Sequence, residues 1–280
     1  MKRSDGKNRT PSGTQGSAAG GATEVGATGE AAERSNVLRW VVIGGLVLVV
    51  FAAAGTIGTF VRDYKAKRLA PPTSATGPSA LAVPVYGHSP VTLTVYEDMR
   101  DPASAQFSEA YDATLNQLIA SGTVNVYYRE VAGADATQGG SGSLNAGNAL
   151  GCAQDTSNKD FTAYRSVLLA NQPAESTDTF GSKSALIDLA KQVKGLDSDV
   201  FRACVDNGDH NVWVKDSTSA FKALGEGGVP VMQMELVGQT APHTVLGSTQ
   251  SLTPAQLTSM VIAAAQTAPT DVATPSPSSS

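Results

Sequence analysis

Two hydrophobic patterns run through the chain, a strand-like alternation and a helical period of 3.6 residues. Residues 91–96 alternate residues that favour strands, and residues 124–131 form a second such run. Between them large apolar residues recur with the helical period, at Phe107, Tyr111, Leu115 and Leu118. A strand, a helix and a strand joined by a crossover of this length predict a βαβ unit with parallel strands.

Helical patterns fill the middle of the chain, and strand patterns return only near its end. From Ser143 to about Gly225 we predict helices at 144–155, 160–171, 183–194, 198–206 and 210–224. Strands are predicted at 231–237 and 244–246. A last helix begins after Thr253, where a Thr-x-x-Gln capping box and Pro254 mark its first turn. The predicted order is βαβ, a block of helices, and ββα.

One long apolar run precedes these elements. Residues 40–61 contain no charged side chain, and about 20 apolar residues cross a bilayer as a helix. Trp40 lies at the edge of the run, where an interfacial ring is typical. We therefore predict a transmembrane helix over residues 37–61 and an uncleaved single-pass anchor. A cleaved signal peptide is the alternative, because small residues lie near the end of the run.

Low-complexity segments flank the predicted anchor and the predicted globular domain. Residues 1–36, rich in Gly, Ser, Ala and Thr, and residues 268–280, rich in Pro, Thr and Ser, are predicted to be disordered tails. Residues 62–89 predict a Pro/Ser/Thr linker. The globular domain is then residues 90–267, with a helical insert at about 143–225.

Charge placement bears on orientation and partners. Close to the span, Arg62, Lys65, Lys67 and Arg68 favour a cytoplasmic C-terminal side, whereas residues 1–39 carry six basic groups against four in residues 40–68. We adopt an extracytoplasmic C-terminal domain, on the cysteine pair and the resemblance described below. Residues 69–280 hold ten basic and twenty acidic residues, so nucleic acid is not a predicted partner.

The stretch VTLTVYEDMRDPASAQF, residues 91–107, carries the most specific motif. Its strand ends at two acidic residues, and Asp101-Pro102 predicts a helix start, because Asp caps helices and Pro fits the first helical position. The stretch resembles the active-site start of DsbA-like thioredoxin-fold disulfide oxidoreductases, in which acidic-acidic-x-x precedes Cys-Pro-x-Cys. Here Asp101 stands at the first cysteine position and Ser104 at the second.

The resemblance covers roughly residues 85–267 and implies an α/β fold, a thioredoxin-like domain with an inserted helical domain. In this chain the predicted transmembrane helix precedes that domain. Gly228-Val229-Pro230 is similar to the family element in which a cis proline faces the active-site helix. The resemblance therefore implies a peptide-binding groove between the former redox motif and the second loop. The motif residues are Asp101, Pro102, Ala103 and Ser104, and the loop residues are Val229 and Pro230.

The missing cysteines govern the expected chemistry. Disulfide exchange needs a thiolate that attacks a disulfide sulfur, which neither Asp101 nor Ser104 provides. We therefore predict no catalytic residue at this site, no cofactor, and a redox-inactive module that binds an extracytoplasmic protein or peptide. The alternative is a divergent thiol–disulfide oxidoreductase of the cell envelope, which would use Cys152, Cys204 or thiols of a partner. A scaffold subunit is a third possibility.

Other candidate residues yield less. Cys152 and Cys204 are either two buried free cysteines or a structural disulfide, and the resemblance favours the disulfide, since some DsbA-like proteins carry such a bond. The chain has no Cys-x-x-Cys motif. Its three histidines are too few and too scattered to predict a metal site. Each is expected at the surface: His88, His210 and His243. Glu97 and Asp98 are expected on opposite faces of their strand rather than as an acid–base pair.

Overall fold

Five strands form one mixed sheet at the centre of the folded domain. The structure, a computed structural model, describes residues 71–85, 89–174, 176–238 and 241–268. The strands are β1 (Val83–Val85), β2 (Val91–Glu97), β3 (Asn125–Glu130), β4 (Val231–Leu236) and β5 (His243–Leu246). Their spatial order is β1-β3-β2-β4-β5. β2 and β3 are parallel, whereas the other three pairs are antiparallel.

The predicted βαβ unit is present. Its crossover is helix α1 (Pro102–Ala120), which buries Phe107, Leu115 and Leu118 against the rest of the core. β2 is central in the sheet, and its burial alternates at first and becomes continuous from Val95 to Glu97. The carboxyl end of β2 is therefore enclosed on both faces where the chain enters α1.

Among the described residues, six α-helices and a 3-10 turn at Thr179–Gly181 lie between β3 and β4. The helices are α2 (Ala134–Gln138), α3 (Gly142–Thr156), α4 (Asn158–Ala170), α5 (Lys183–Ala190), α6 (Asp199–Asn207) and α7 (Asn211–Lys222). Helix α3 is buried almost throughout and contacts α4, α6 and α7. The predicted helices at 144–155, 160–171, 183–194, 198–206 and 210–224 correspond to α3 to α7. Helix α2 was not predicted, because its five residues follow a strand without an apolar repeat.

Small residues let α3 pack closely at the centre of the insert. A Cβ atom at Gly147 would lie 2.9 Å from the Val214 side chain, and one at Gly151 would lie 2.7 Å from the His210 ring. These spacings are too short for a larger residue, so glycine at both positions allows α7 and the turn before it to approach α3.

The last helix, α8 (Pro254–Thr267), contacts α1 and β2. Its predicted capping box is present, because Thr253 Oγ1 accepts the Gln256 N–H and Gln256 Oε1 accepts the Thr253 N–H. Together the elements give the α/β, DsbA-like thioredoxin fold with a helical insert.

The segment predicted as a linker needs correction in its second half. Residues 71–85 form a 3-10 turn at Pro78–Ala80 and strand β1, which pairs with β3. Thr73 and Ser74 also hydrogen-bond to α3, and Pro72 is buried. A strand of three residues that contains a proline has too little pattern to stand out in a Pro- and Ser-rich segment, but the edge position of β1 tolerates the proline.

No helix among the described residues is long and apolar enough to cross a membrane. The predicted transmembrane helix at 37–61, the tail at 1–36 and residues 62–70 of the predicted linker lie outside the described residues. So does the C-terminal tail, apart from Ala268.

Candidate functional site

The start of α1 is built around Asp101. Its carboxylate accepts a hydrogen bond from the Ala103 N–H at 2.9 Å, and Pro102 occupies the first helical position. A negative charge here is favourable, because the partial positive charge of the helix dipole lies at this end. Asp101 therefore takes the electrostatic place that a thiolate would take in a redox-active site, but it has no sulfur.

Ser104, in the second former cysteine position, is buried and faces the end of β2. Its hydroxyl oxygen accepts the Asp98 N–H at 3.0 Å. The hydroxyl thus ties the first turn of α1 to the strand that precedes it. The Asp101 carboxylate and the Ser104 hydroxyl can cap a helix and bond backbone groups. Because neither contains sulfur, the site cannot form a mixed disulfide.

Two side chains hold the loop between β2 and α1, the buried Arg100 and the partly buried Gln172. The Arg100 guanidinium pairs with Asp135 at 2.7 Å and with Asp178 at 3.2 Å. Gln172 donates to the carbonyl oxygens of Met99 at 2.8 Å and Asp101 at 3.0 Å. Sequence analysis missed both, although the position of Arg100 directly before the motif was a usable signal.

The bond between Val229 and Pro230 is cis, which is what the family resemblance implied. A cavity of about 270 Å³ lies between this loop and the start of α1, and both Asp101 and Val229 line it. Helix α2, the end of α7 and the loop at 226–228 supply the remaining walls. The structure thus brings one residue of the former redox motif and one of the proline loop to the same cavity.

The inner wall of this cavity is apolar. Val131 and Phe221 line it, and they pack with Tyr96 and Val231 in a small hydrophobic cluster against which Val229 also packs. The outer wall carries Lys222 and Glu226. The walls from α2 and α7 were not predicted, because a cavity wall leaves no periodic pattern in a sequence.

Three carboxyl groups lie at the carboxyl ends of β2 and β3. Glu97 is fully buried and accepts two hydrogen bonds of 2.6 Å from the Arg165 guanidinium. Asp98 instead accepts the backbone N–H groups of Arg100 at 2.9 Å and Ala134 at 2.8 Å. As predicted, the two adjacent carboxylates do not converge on one point.

Glu130 is the third carboxyl group, and its two oxygens have no hydrogen-bond partner among the described residues. Burial raises its pKa well above the usual range, and the neighbouring charges of Glu97 and Asp98 raise it further. Burial also raises the pKa of Glu97, but the Arg165 guanidinium opposes that effect. The arrangement therefore favours the negative charge on Glu97 and the proton on Glu130.

Cys152 of α3 and Cys204 of α6 are joined by a disulfide bond. A ring nitrogen of His210 lies within 4.8 Å of both sulfur atoms. The His210 Nε2 atom is 2.9 Å from Asp155 Oδ2, and the histidine is 3% exposed. The prediction that His210 lies at the surface is wrong, because Gly151 leaves room for its ring against α3.

Comparisons with known proteins agree with this architecture. A family model described as Thioredoxin matches residues 83–244, which is more than half of the chain. No curated protein sequence gives a significant match.

Several solved structures share the fold. Oxidised DsbA from Mycobacterium tuberculosis is 22% identical with a TM-score of 0.54, and the match covers 67% of this chain and 94% of that one. Reduced DsbG, a disulfide bond oxidoreductase of the same organism, is 22% identical with a TM-score of 0.55, covering 67% and 89%. MdbA, a thiol–disulfide oxidoreductase from Actinomyces oris, is 20% identical with a TM-score of 0.51, covering 69% and 88%. At these identities the similarity concerns the fold.

Proposed function

This chain belongs to the thioredoxin family, and we propose that it is a redox-inactive binding protein of the cell envelope. A single-pass membrane anchor holds its domain on the extracytoplasmic side, and the cavity between Asp101 and Val229 takes an extended segment of a partner protein. The observation that carries the proposal is that this cavity is present although Asp101 and Ser104 stand where the family motif has its cysteines.

The lining of the cavity supports a peptide as the occupant. Val131, Phe221 and Val229 offer an apolar surface for one side chain, and Lys222 and Glu226 flank it with charge. The cis Val229–Pro230 bond corresponds to the family element that presents backbone groups to an extended peptide. An edge of free backbone groups beside an apolar pocket is the common way to bind an extended segment.

A crosslinking experiment in intact cells tests this function. A photoreactive amino acid replaces Val229 in the full chain, and the control places the same group at Val200, which is 81% exposed and does not line the cavity. A defined partner crosslinked from position 229 and not from position 200 is the expected result. Equal labelling from both positions, or unchanged capture in an Ala103→Trp variant, would count against the groove.

The second candidate function is thiol–disulfide exchange, and the comparisons with solved structures favour it over a redox-inactive module. DsbG and MdbA, whose fold this chain shares, are oxidoreductases of this chemistry. In this chain the reaction would use the Cys152–Cys204 disulfide, with the nearby His210 as a group able to stabilise a thiolate. Partner thiols supply the only other route.

An insulin-reduction assay separates the two candidates. For the binding protein, the wild type should show no turnover above a Cys152→Ser/Cys204→Ser variant. Turnover that disappears in this variant would establish the oxidoreductase instead. If there is neither turnover nor a partner crosslinked at position 229, the remaining interpretation is a scaffold subunit.

A further inference from the structure

A second cluster of chemically active side chains lies in the helical insert, among residues that line none of the cavities at the start of α1. It consists of Cys152, Cys204, His210 and Asp155. One ligand atom from each of the first three lies within 4.8 Å of the others. The carboxylate of Asp155 contacts the imidazole through Nε2 at 2.9 Å.

We propose that this cluster becomes a zinc-binding site when the disulfide is reduced. Two thiolates and an imidazole are the ligands that Zn²⁺ prefers, and three protein ligands with a fourth position for water or a carboxylate are a common zinc set. Asp155 would orient the histidine ring, because a carboxylate bonded to a metal-binding histidine fixes its orientation and raises its basicity.

The chemistry proceeds in two balanced steps. A dithiol reductant delivers two electrons and two protons to the Cys152–Cys204 bond, the S–S bond breaks, and the reductant leaves as its own disulfide. Zn²⁺ then displaces one proton from each thiol and binds both thiolates. The covalent link between α3 and α6 is thereby replaced by a metal link between the same two residues.

The surroundings of the cluster suit a metal that enters after reduction. Cys152 and His210 are 2% and 3% exposed, so bound thiolates would be shielded from water on the side of α3. The side chain of Asp155 is 37% exposed, which opens a path from solvent to the histidine. Helices α3 and α6 are already in contact, and the Cα atoms of the two cysteines are 5.9 Å apart, so only a small adjustment is needed to accept a metal ion between the sulfurs.

Cobalt and zinc titrations of the full chain in detergent test the proposal. The protein is reduced with a water-soluble phosphine, which breaks the disulfide and becomes the phosphine oxide. Reduced protein should bind one Co²⁺ with the absorption of a tetrahedral thiolate complex, and zinc should displace it. The disulfide form should show no such absorption. Zinc should also raise the thermal unfolding temperature of the reduced protein and leave that of the disulfide form unchanged.

Three variants of the cluster and one control variant test the ligand assignment. Cys152→Ser should abolish the cobalt–thiolate spectrum, and Asp155→Asn should weaken binding by about 10–100-fold, the usual cost of losing such a supporting group. His243→Ala, an exposed histidine on β5, should bind as the wild type does. Absence of the spectrum in reduced protein, or binding unchanged in His210→Ala, would overturn the proposal. So would a reduced protein that unfolds and is not refolded by zinc.

Discussion

Glu97 of β2 and Glu130 of β3 are paired directly across the parallel ladder, and both side chains are buried. Two carboxylates placed side by side without solvent cannot both be ionised at low cost. The Arg165 guanidinium bonds to Glu97 with two contacts of 2.6 Å, which favours the negative charge on Glu97 and the proton on Glu130.

Replacing Glu130 by Gln should flatten the dependence of stability on pH. Because the folded pKa of Glu130 is raised by burial, the folded state binds its proton more tightly than the unfolded chain does. The contribution of Glu130 to stability should therefore be fully present below the unfolded pKa, about 4.3, and should be lost as pH rises through the folded pKa. Urea unfolding at a series of pH values measures this.

The advantage of Glu130→Gln over the wild type should thus grow with pH and then level off. Glu235→Gln, which removes an exposed carboxyl group on β4, is the control and should follow the wild-type profile. A constant difference between Glu130→Gln and the wild type from acid to neutral pH would show that folding does not raise the pKa of Glu130.

Replacing Arg165 by Met should destabilise the domain by about 3–5 kcal/mol, because it leaves the Glu97 carboxylate buried and unpaired. Arg165 also bonds to Asp112 at 2.8 Å and lies 4.5 Å over the Tyr128 ring, so both contacts are lost as well. Arg202→Met is the matched control, since its pair with Asp197 lies at the surface, where solvent screens the charges, and its loss should change stability little. Similar costs for the two variants in urea unfolding would contradict the role of the buried pair.

Sequence patterns predicted the elements that have a strong local signal. The Asp101-Pro102 start of α1 and the Thr253 capping box both place specific side chains against backbone N–H groups, and such short-range bonds leave a readable motif. Strand β1 and helix α2 have three and five residues, and their conformation is fixed by pairing with β3 and by the loop around Arg100. Contacts of that kind join distant residues and leave no periodic pattern.

The same distinction applies to the candidate site. Asp101 and Val229 line one cavity, and the resemblance predicted their proximity. The wall supplied by Phe221 and the burial of His210 depend on how α7 packs against α3. The glycines of α3 allow this close packing, but their positions in the sequence do not predict it. Glu130 was missed because an acidic residue at a strand end normally indicates solvent exposure.

Replacing Asp155 by Ala should loosen the segment before β1. Asp155 accepts the Thr73 N–H at 2.7 Å and the Thr73 hydroxyl at 2.8 Å, besides its contact with His210. Burial alone would raise the pKa of Asp155, but the hydrogen bonds from His210 and Thr73 outweigh burial and lower it. Because the group is partly exposed, a loss of about 1.5 kcal/mol at neutral pH is expected.

The pH dependence of this loss has a definite sign. A lowered folded pKa contributes stability above the unfolded pKa, about 3.9, and that stability disappears as pH falls through the folded value. The difference between wild type and Asp155→Ala should therefore shrink in acid, and the Thr73 amide should exchange hydrogen faster in the variant at neutral pH. Asp206→Ala, an exposed position on α6, should change neither quantity. Unchanged exchange at Thr73 in Asp155→Ala would contradict the contact.

Restoring the two cysteines should restore dithiol chemistry at the start of α1. In an Asp101→Cys/Ser104→Cys variant the first thiol occupies the N-cap of a 19-residue helix, where its pKa should fall to about 3.5–7.5. The buried second thiol lies one turn further on, as in the family motif. Insulin reduction and the pH dependence of alkylation measure the two properties, in a Cys152→Ser/Cys204→Ser background that removes the native disulfide.

The single variant Ser104→Cys in the same background is the control for this restoration. It has a buried thiol without a partner, so it should form no intramolecular disulfide and give no turnover. If the double variant folds and forms its disulfide but reduces no insulin, the site lacks more than its cysteines. The walls of the cavity, Phe221 and Val229 among them, would then be the residues that have lost the redox substrate. Turnover in the double variant but not in the single variant would show that Asp101 and Ser104, in place of cysteines, are the reason why the start of α1 does not catalyse disulfide exchange.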